Sequence, residues 1–190
     1  MGLNRILFKN GKKDDFIAYL DRTIETVKDD NIDSIGYDAF YRCTSLTSID
    51  LPNVTSIDKD AFEYCPSLTS VNLPNVTSIG DFAFQNCSSL TPIDLPNVTS
   101  IGEYAFESCR SLTSVNIPNV TSIGNYAFGR CTSLTSIDLP KATSVGDRAF
   151  NLCSSLTSIH FAAKNKETIE ALSGYSSKFG ATNATIYFDL

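Results

Sequence analysis

From Ile32 to Phe161 the apolar positions keep one spacing. In the unit beginning at Leu46, the apolar set is Leu46, Ile49, Leu51, Val54, Ile57, Ala61, Phe62 and Cys65, separated mostly by Thr, Ser, Asn and acidic residues. Ile49 and Leu51 lie two apart, the spacing of a strand with one buried face. Pro52 follows, and a residue without an N–H suits the end of a strand better than its middle. Val54 and Ile57 turn a second extended stretch back inward. Ala61 and Cys65 are four apart with Phe62 beside Ala61, which predicts a single helical turn with all three near one side.

The same order recurs without a slip. Cys43, Cys65, Cys87, Cys109, Cys131 and Cys153 each stand 22 residues after the last. Phe40 to Phe150, Leu46 to Leu156 and Pro52 to Pro140 keep the same period, and an Ala precedes each Phe. A fixed period in this range marks a repeat architecture. Gly36, Gly80, Gly102, Gly124 and Gly146 close the second stretch, with Asp58 in the remaining unit. Gly and Asp both tolerate positive φ, so a left-handed corner is expected there. One unit cannot bury its apolar face alone, and stacking supplies what it lacks. The expected fold is an α/β repeat: a solenoid of short parallel strands with one helical turn per unit.

Units of this form resemble the BspA-like (Treponema pallidum type) leucine-rich repeats, whose pattern has a Leu-x-x-Ile-x-Ile-Pro strand and an Ala-Phe-x-x-Cys turn. The resemblance covers about residues 32–161, and the unit of 22 residues is slightly short for that family. It implies a leucine-rich-repeat solenoid. It also implies a non-enzymatic protein-binding or cell-adhesion module, as in bacterial surface proteins that recognise host matrix or other cells.

One period before Leu46, Ile49, Val54 and Ile57, the chain has Ile24, Val27, Ile32 and Ile35 without the Leu and Pro columns. Residues 1–34 therefore read as an N-terminal cap and a degenerate first repeat, with a short amphipathic helix over Lys12–Asp21. Residues 35–161 are six repeats. Residues 162–190 read as a C-terminal cap with a helix over Lys164–Leu172 and a final strand at Ala184–Phe188. Terminal units must differ from interior ones, because an uncovered rung exposes its apolar face and strand edge. The whole is expected to be one continuous domain and a monomer.

Charge narrows the partners. The 21 acidic and 15 basic residues give a net charge of −6, against nucleic acid, which calls for a basic face, and against adsorption to an anionic membrane. No apolar run approaches the roughly eighteen residues that span a bilayer. The opening Met1–Phe8 has no apolar core of a signal peptide. The expected location is the cell surface or the exterior if the chain is a fragment of a longer protein, and is open otherwise.

Three columns and one histidine carry side chains with candidate chemistry. The cysteines of neighbouring rungs, about 4.8 Å apart, would have nearly parallel Cβ vectors, poor geometry for a disulfide. With no C-x-x-C pair or His cluster to make zinc ligands, they read as buried reduced thiols. His160 is the only histidine, and no nucleophile is marked beside it, so no catalytic residue is assigned. Asp50, Asn72, Asp94, Asn116 and Asp138 alternate acid and amide on an outward position, where Asn can bond its neighbours. A hard cation would suit such oxygens, but the glycine-rich calcium nonapeptide is absent, so no metal and no cofactor are expected. Phe82, Tyr104 and Tyr126 follow Asp38 and Asp60 and precede Arg148 in another outward column. The core is already filled by the Phe column, so these rings offer rigid amphipathic area for a contact or shield the turns by stacking on one another. The sequons at Asn53, Asn75, Asn97 and Asn119 arise from the repeat itself.

The expected partner is a protein or a glycan, contacted through the aromatic and Asp/Asn columns. A phage or prophage structural or receptor-contacting protein is the alternative, since it would need no signal peptide. A glycan-cleaving enzyme would need a placed pair of carboxylates in an irregular insertion, and the sequence has none.

Overall fold

The computed structural model describes residues 23–172 and 179–189. The chain winds as a solenoid held by three lines of bonds running from each turn to the next. The first line joins β1 (Thr26–Lys28), β3 (Ser48–Asp50), β5 (Ser70–Asn72), β7 (Ile93–Asp94), β9 (Val115–Asn116), β11 (Ser136–Leu139) and β13 (Ser158–Phe161). All pairings in it are parallel and in register one period apart, such as Ile49↔Val71 and Ile137↔Ile159. The second line is a continuous six-stranded sheet of two-residue strands: β2 (Ser34–Ile35), β4 (Ser56–Ile57), β6 (Ser78–Ile79), β8 (Ser100–Ile101), β10 (Ser122–Ile123) and β12 (Ser144–Val145).

Pro92 stands where other units carry Ser48, Ser70, Ser114, Ser136 or Ser158. It has no N–H to give a ladder. The first line is interrupted there, between β5 and β7, and again between β9 and β11, and Val71 beside the first gap is only half-buried.

The third line is the turn segment, and here the expected helical turn is not formed. Tyr41 N–H bonds Asp38 C=O at 3.0 Å and Cys43 N–H bonds Phe40 C=O at 3.1 Å, a chain of tight turns. The intervening donors reach the next unit: Phe40 N–H to Ala61 C=O at 2.7 Å and Arg42 N–H to Glu63 C=O at 2.8 Å. Two left-handed residues per unit break any helix. One column is Asp38, Asp60, Phe82, Tyr104, Tyr126 and Arg148, and the other is Arg42, Tyr64, Asn86, Ser108, Arg130 and Leu152, all with φ between 54 and 63°.

The left-handed corner expected at the glycine column is therefore misplaced: among the described glycines only Gly180 has positive φ. Those glycines are needed for space instead. A Cβ on Gly124 would lie 2.5 Å from the Gly102 carbonyl carbon, and one on Gly146 would lie 2.5 Å from Asn125 N.

All eight inward columns are buried, apart from the half-buried Ala39 and Val71. The six Phe rings from Phe40 to Phe150 stack nearly parallel, with centroids 5.0 to 5.7 Å apart. Polar side chains follow the same axis. Thr69 Oγ1 donates to Thr47 C=O at 3.0 Å and Thr77 Oγ1 to Thr55 C=O at 3.1 Å. Asn75 Nδ2 donates to Pro52 C=O at 2.8 Å, and Asn53, Asn97 and Asn119 do the same one unit apart.

At the start, β1 pairs with β3 and Val27, Ile32 and Ile35 are buried. The helix expected over Lys12–Asp21 lies outside the described residues. At the other end, a 3-10 turn (Ala163–Asn165) leads into α1 (Lys166–Glu170), whose Ile169 is fully buried. The final strand β14 (Thr185–Phe188) pairs in parallel with β13.

Candidate functional site

The aromatic column is the most ordered outward feature. Phe82 and Tyr104 stack with centroids 5.0 Å apart at 4°, and Tyr104 and Tyr126 do so at 5.0 Å and 3°. Cations close both ends. Lys59 Nζ lies 5.5 Å from the Phe82 centroid, Arg148 Cζ lies 5.9 Å from that of Tyr126, and Arg148 Nη1 donates to Tyr126 Oη at 2.7 Å. All three rings are half-buried. Both faces of every ring are thus occupied, and edges and hydroxyls remain for solvent. Each ring is carried by a left-handed residue, which for a bulky side chain is an uncommon conformation. Stacking offsets that backbone cost.

Sequence reasoning missed the beginning of the same face. Tyr37 and Tyr64 are 48% and 43% exposed. Tyr64 meets Tyr41 edge-on at 6.3 Å, and the Arg42 guanidinium lies 5.0 Å from the Tyr41 ring and 5.4 Å from the Tyr64 ring. Beside them Asp38, Asp60 and Glu63 all have proton affinities raised first by burial, and for Asp60 and Glu63 also by neighbouring carboxylates. The signal was present: Tyr37, Tyr41 and Tyr64 fall at positions where later units carry polar or small residues, apart from Leu152.

The Asp/Asn column lies on the first strand line, away from the rings. Asn72 Nδ2 donates to Asp50 Oδ1 at 2.8 Å and Asn116 Nδ2 to Asp94 Oδ1 at 2.7 Å. Lys28 Nζ pairs with Asp50 Oδ2 at 2.6 Å, and the bonds from Lys28 and Asn72 hold the Asp50 carboxyl below its usual range. Asp138 sits opposite His160 in the strand register, and His160 stacks on Tyr187 at 4.7 Å and bonds Asp189 at 2.9 Å. The column is engaged in two bonded Asp–Asn pairs, and the described residues contain no group of three or more His, Cys, Asp or Glu able to hold a metal ion.

All six cysteines are buried and free. Cys65, Cys87, Cys109, Cys131 and Cys153 each donate Sγ–H to a Phe carbonyl of the unit before, at 2.9 to 3.2 Å.

With a 22-residue period, parallel strands and an Ala-Phe-x-x-Cys turn in place, comparison with known proteins becomes decisive. The chain matches the BspA type leucine rich repeat region in six copies, over residues 19–131 and 55–178. It belongs to the BspA-type leucine-rich-repeat family. Among solved structures, a leucine rich cell surface protein of Faecalibacterium prausnitzii is 31% identical over 69% of this chain and 43% of its own, with a TM-score of 0.51. The T. pallidum leucine rich repeat protein is 25% identical over 84% of this chain and 64% of its own, also at 0.51. The BspA-type chain thus spans less than half of the first relative and under two thirds of the second. No curated protein matches it. No described helix is long and apolar enough to cross a membrane.

Within this BspA-type solenoid the glycine, Phe and Cys columns serve stacking. On the turn face, the left-handed positions and their neighbours carry a run of aromatic and charged residues.

Proposed function

We propose that the chain is a non-enzymatic protein-binding module that works at a bacterial cell surface in attachment to other cells or matrix. The observation that carries this reading is the rib Phe82–Tyr104–Tyr126, closed by Lys59 and Arg148. Tyr and Arg are the residues that concentrate binding energy at protein interfaces. Stacking has already fixed their rotamers, so little side-chain freedom is left to lose on contact. A sugar that stacks needs an open ring face, and these faces are taken. Ring edges, the Tyr104 hydroxyl and the Arg148 guanidinium suit the carbonyls and side chains of a protein. The family and the relative from F. prausnitzii support surface recognition, and no observation favours the phage alternative.

The test compares the wild type with a chain carrying Phe82→Ser, Tyr104→Ser and Tyr126→Ser, both checked for folding, in binding to cells, matrix proteins and glycan arrays. Loss of protein binding by the folded variant is expected. Equal binding by the two chains, or binding of the wild type to glycans alone, would sink the reading.

A further inference from the structure

The last strand ends the stack with less cover than the rungs before it receive. In β11 and β13 the inward Ile137, Leu139, Ile159 and Phe161 are at most 2% exposed, whereas their counterparts in β14, Ile186 and Phe188, are only half-buried. Phe188 rests on Phe161, with centroids 5.8 Å apart, and Lys166 Nζ comes 5.9 Å from its centroid on a side chain that is itself 57% exposed. Among the described residues β14 has a strand on one side only, in the order β11-β13-β14. Thr185 and Asp189 give their N–H groups to Thr157 and Phe161 across that side. Alternate residues of a strand turn opposite ways, so the backbone groups of Ile186 and Phe188 point away from β13. Natural sheets blunt such an edge with Pro or Lys. The segment Thr185-Ile186-Tyr187-Phe188 has neither, and its β-branched and aromatic residues favour further pairing.

We propose that β14 pairs edge to edge with β14 of a second copy, antiparallel about a two-fold axis through Tyr187, so that this chain forms a dimer in place of the monomer expected from its sequence. The strand is built for its own copy. Thr185, Tyr187 and Asp189 are exposed while Ile186 and Phe188 face the core, an order that reads the same in both directions about Tyr187. With Tyr187 on the axis, Ile186 stands opposite Phe188 of the partner subunit, and directly opposed residues of an antiparallel pair share a face. The two half-covered apolar ends then meet on the core side, as an aliphatic–aromatic pair on each side of the axis. A slip of one residue would set inward side chains against outward ones, which fixes the register. A foreign peptide would need the same alternation, which a second copy carries by construction. The two-fold contact closes at two copies, and the rib, on the third line, stays free in both.

The experiment is sedimentation velocity of the full chain over a wide range of concentration, with amide hydrogen exchange on the same samples. A monomer–dimer equilibrium is expected, and the Ile186 and Phe188 amides should become protected as concentration rises. Tyr187→Lys sets like charges against each other at the axis and should weaken the dimer about tenfold or more. Thr113→Lys adds the same charge at an exposed position beside β9 in the middle of the stack, and should leave the dimer unaltered. The exchange measurement needs no variant, so it decides the matter even if Tyr187→Lys disturbs the fold. A chain that is monomeric at every concentration, a mass that grows beyond two copies, equal weakening by both variants, or protection that rises away from β14 would overturn the proposal. Loss of the dimer would leave the recognition reading untouched, because the rib takes no part in it.

Discussion

Cys87 Sγ donates to the carbonyl oxygen of Phe62, 3.2 Å away in the preceding unit. The thiol is therefore a small apolar filler and a rung-to-rung bond at once. Burial pushes Cys109 and Cys131 well above the ordinary thiol range and lifts Cys153 to about 12. Thiolate is the reactive form, so native protein should react negligibly with an aromatic disulfide reagent at pH 8. Six equivalents should appear on adding denaturant. Fast labelling of several thiols in the native state would contradict this packing.

The glycine column makes a sharper demand on space. Gly124→Ala would place a methyl carbon 2.5 Å from backbone of the preceding turn. Relieving it requires two turns to separate, which should cost about 3 kcal/mol or more. At Gly129 the nearest atom would be 3.2 Å away, so Gly129→Ala should lose much less. Denaturant midpoints of the two variants compare them directly.

The left-handed rib residues can be tested against their own backbone. Tyr104 has φ 55°, a conformation costing an L-residue roughly 1–2 kcal/mol relative to glycine. Tyr104→Ala removes the stacking and keeps the strain, whereas Tyr104→Gly removes both. The Gly variant should be the more stable by about 1 kcal/mol, the reverse of the order found in a helix. Equal stabilities would mean that the turn relaxes.

Acid should help this chain before it harms it. Asp38, Asp60 and Glu63 have folded-state proton affinities raised by burial. Between the unfolded and folded values the native state binds more protons, so these groups favour folding more as pH falls. Asp50 acts oppositely, since its carboxyl is held low and its contribution is lost at still lower pH. Stability is expected to rise as pH falls toward the ordinary carboxylate range, about 4, and to decline below it as Asp50 protonates. Asp60→Asn should raise the melting temperature at pH 7 and flatten the rise. A melting temperature that falls steadily from pH 7 downward would refute this.

The strands and the core were legible because each follows from spacing. Ile49 and Leu51, two apart, can only share one face of a strand, and a period without slips stacks every such pair. The turn was misread for a physical reason. Ala61, Phe62 and Cys65 have helical spacing, but Asp60 and Tyr64 adopt positive φ, which no pattern of apolar residues encodes. Glycine misled in the same place, since Gly80 and Gly102 looked like corners and serve as clearance. In the contact columns, Phe82, Tyr104 and Tyr126 could be seen to be outward. That their faces are closed by one another, and by Lys59 and Arg148, depends on rotamers that the sequence does not state. Asp60 looked like its neighbour Asp38, and only its burial sets it apart.

The bonds of all three lines, from Phe40–Ala61 to Thr121–Thr143, run along the solenoid axis. Tension between the two ends would therefore load one seam at a time, as in a zip. Each freed turn of 22 residues would lengthen from about 5 Å to roughly 75 Å, at about 3.4 Å per residue. A chain built this way would absorb a pull in equal steps and rewind when the load drops.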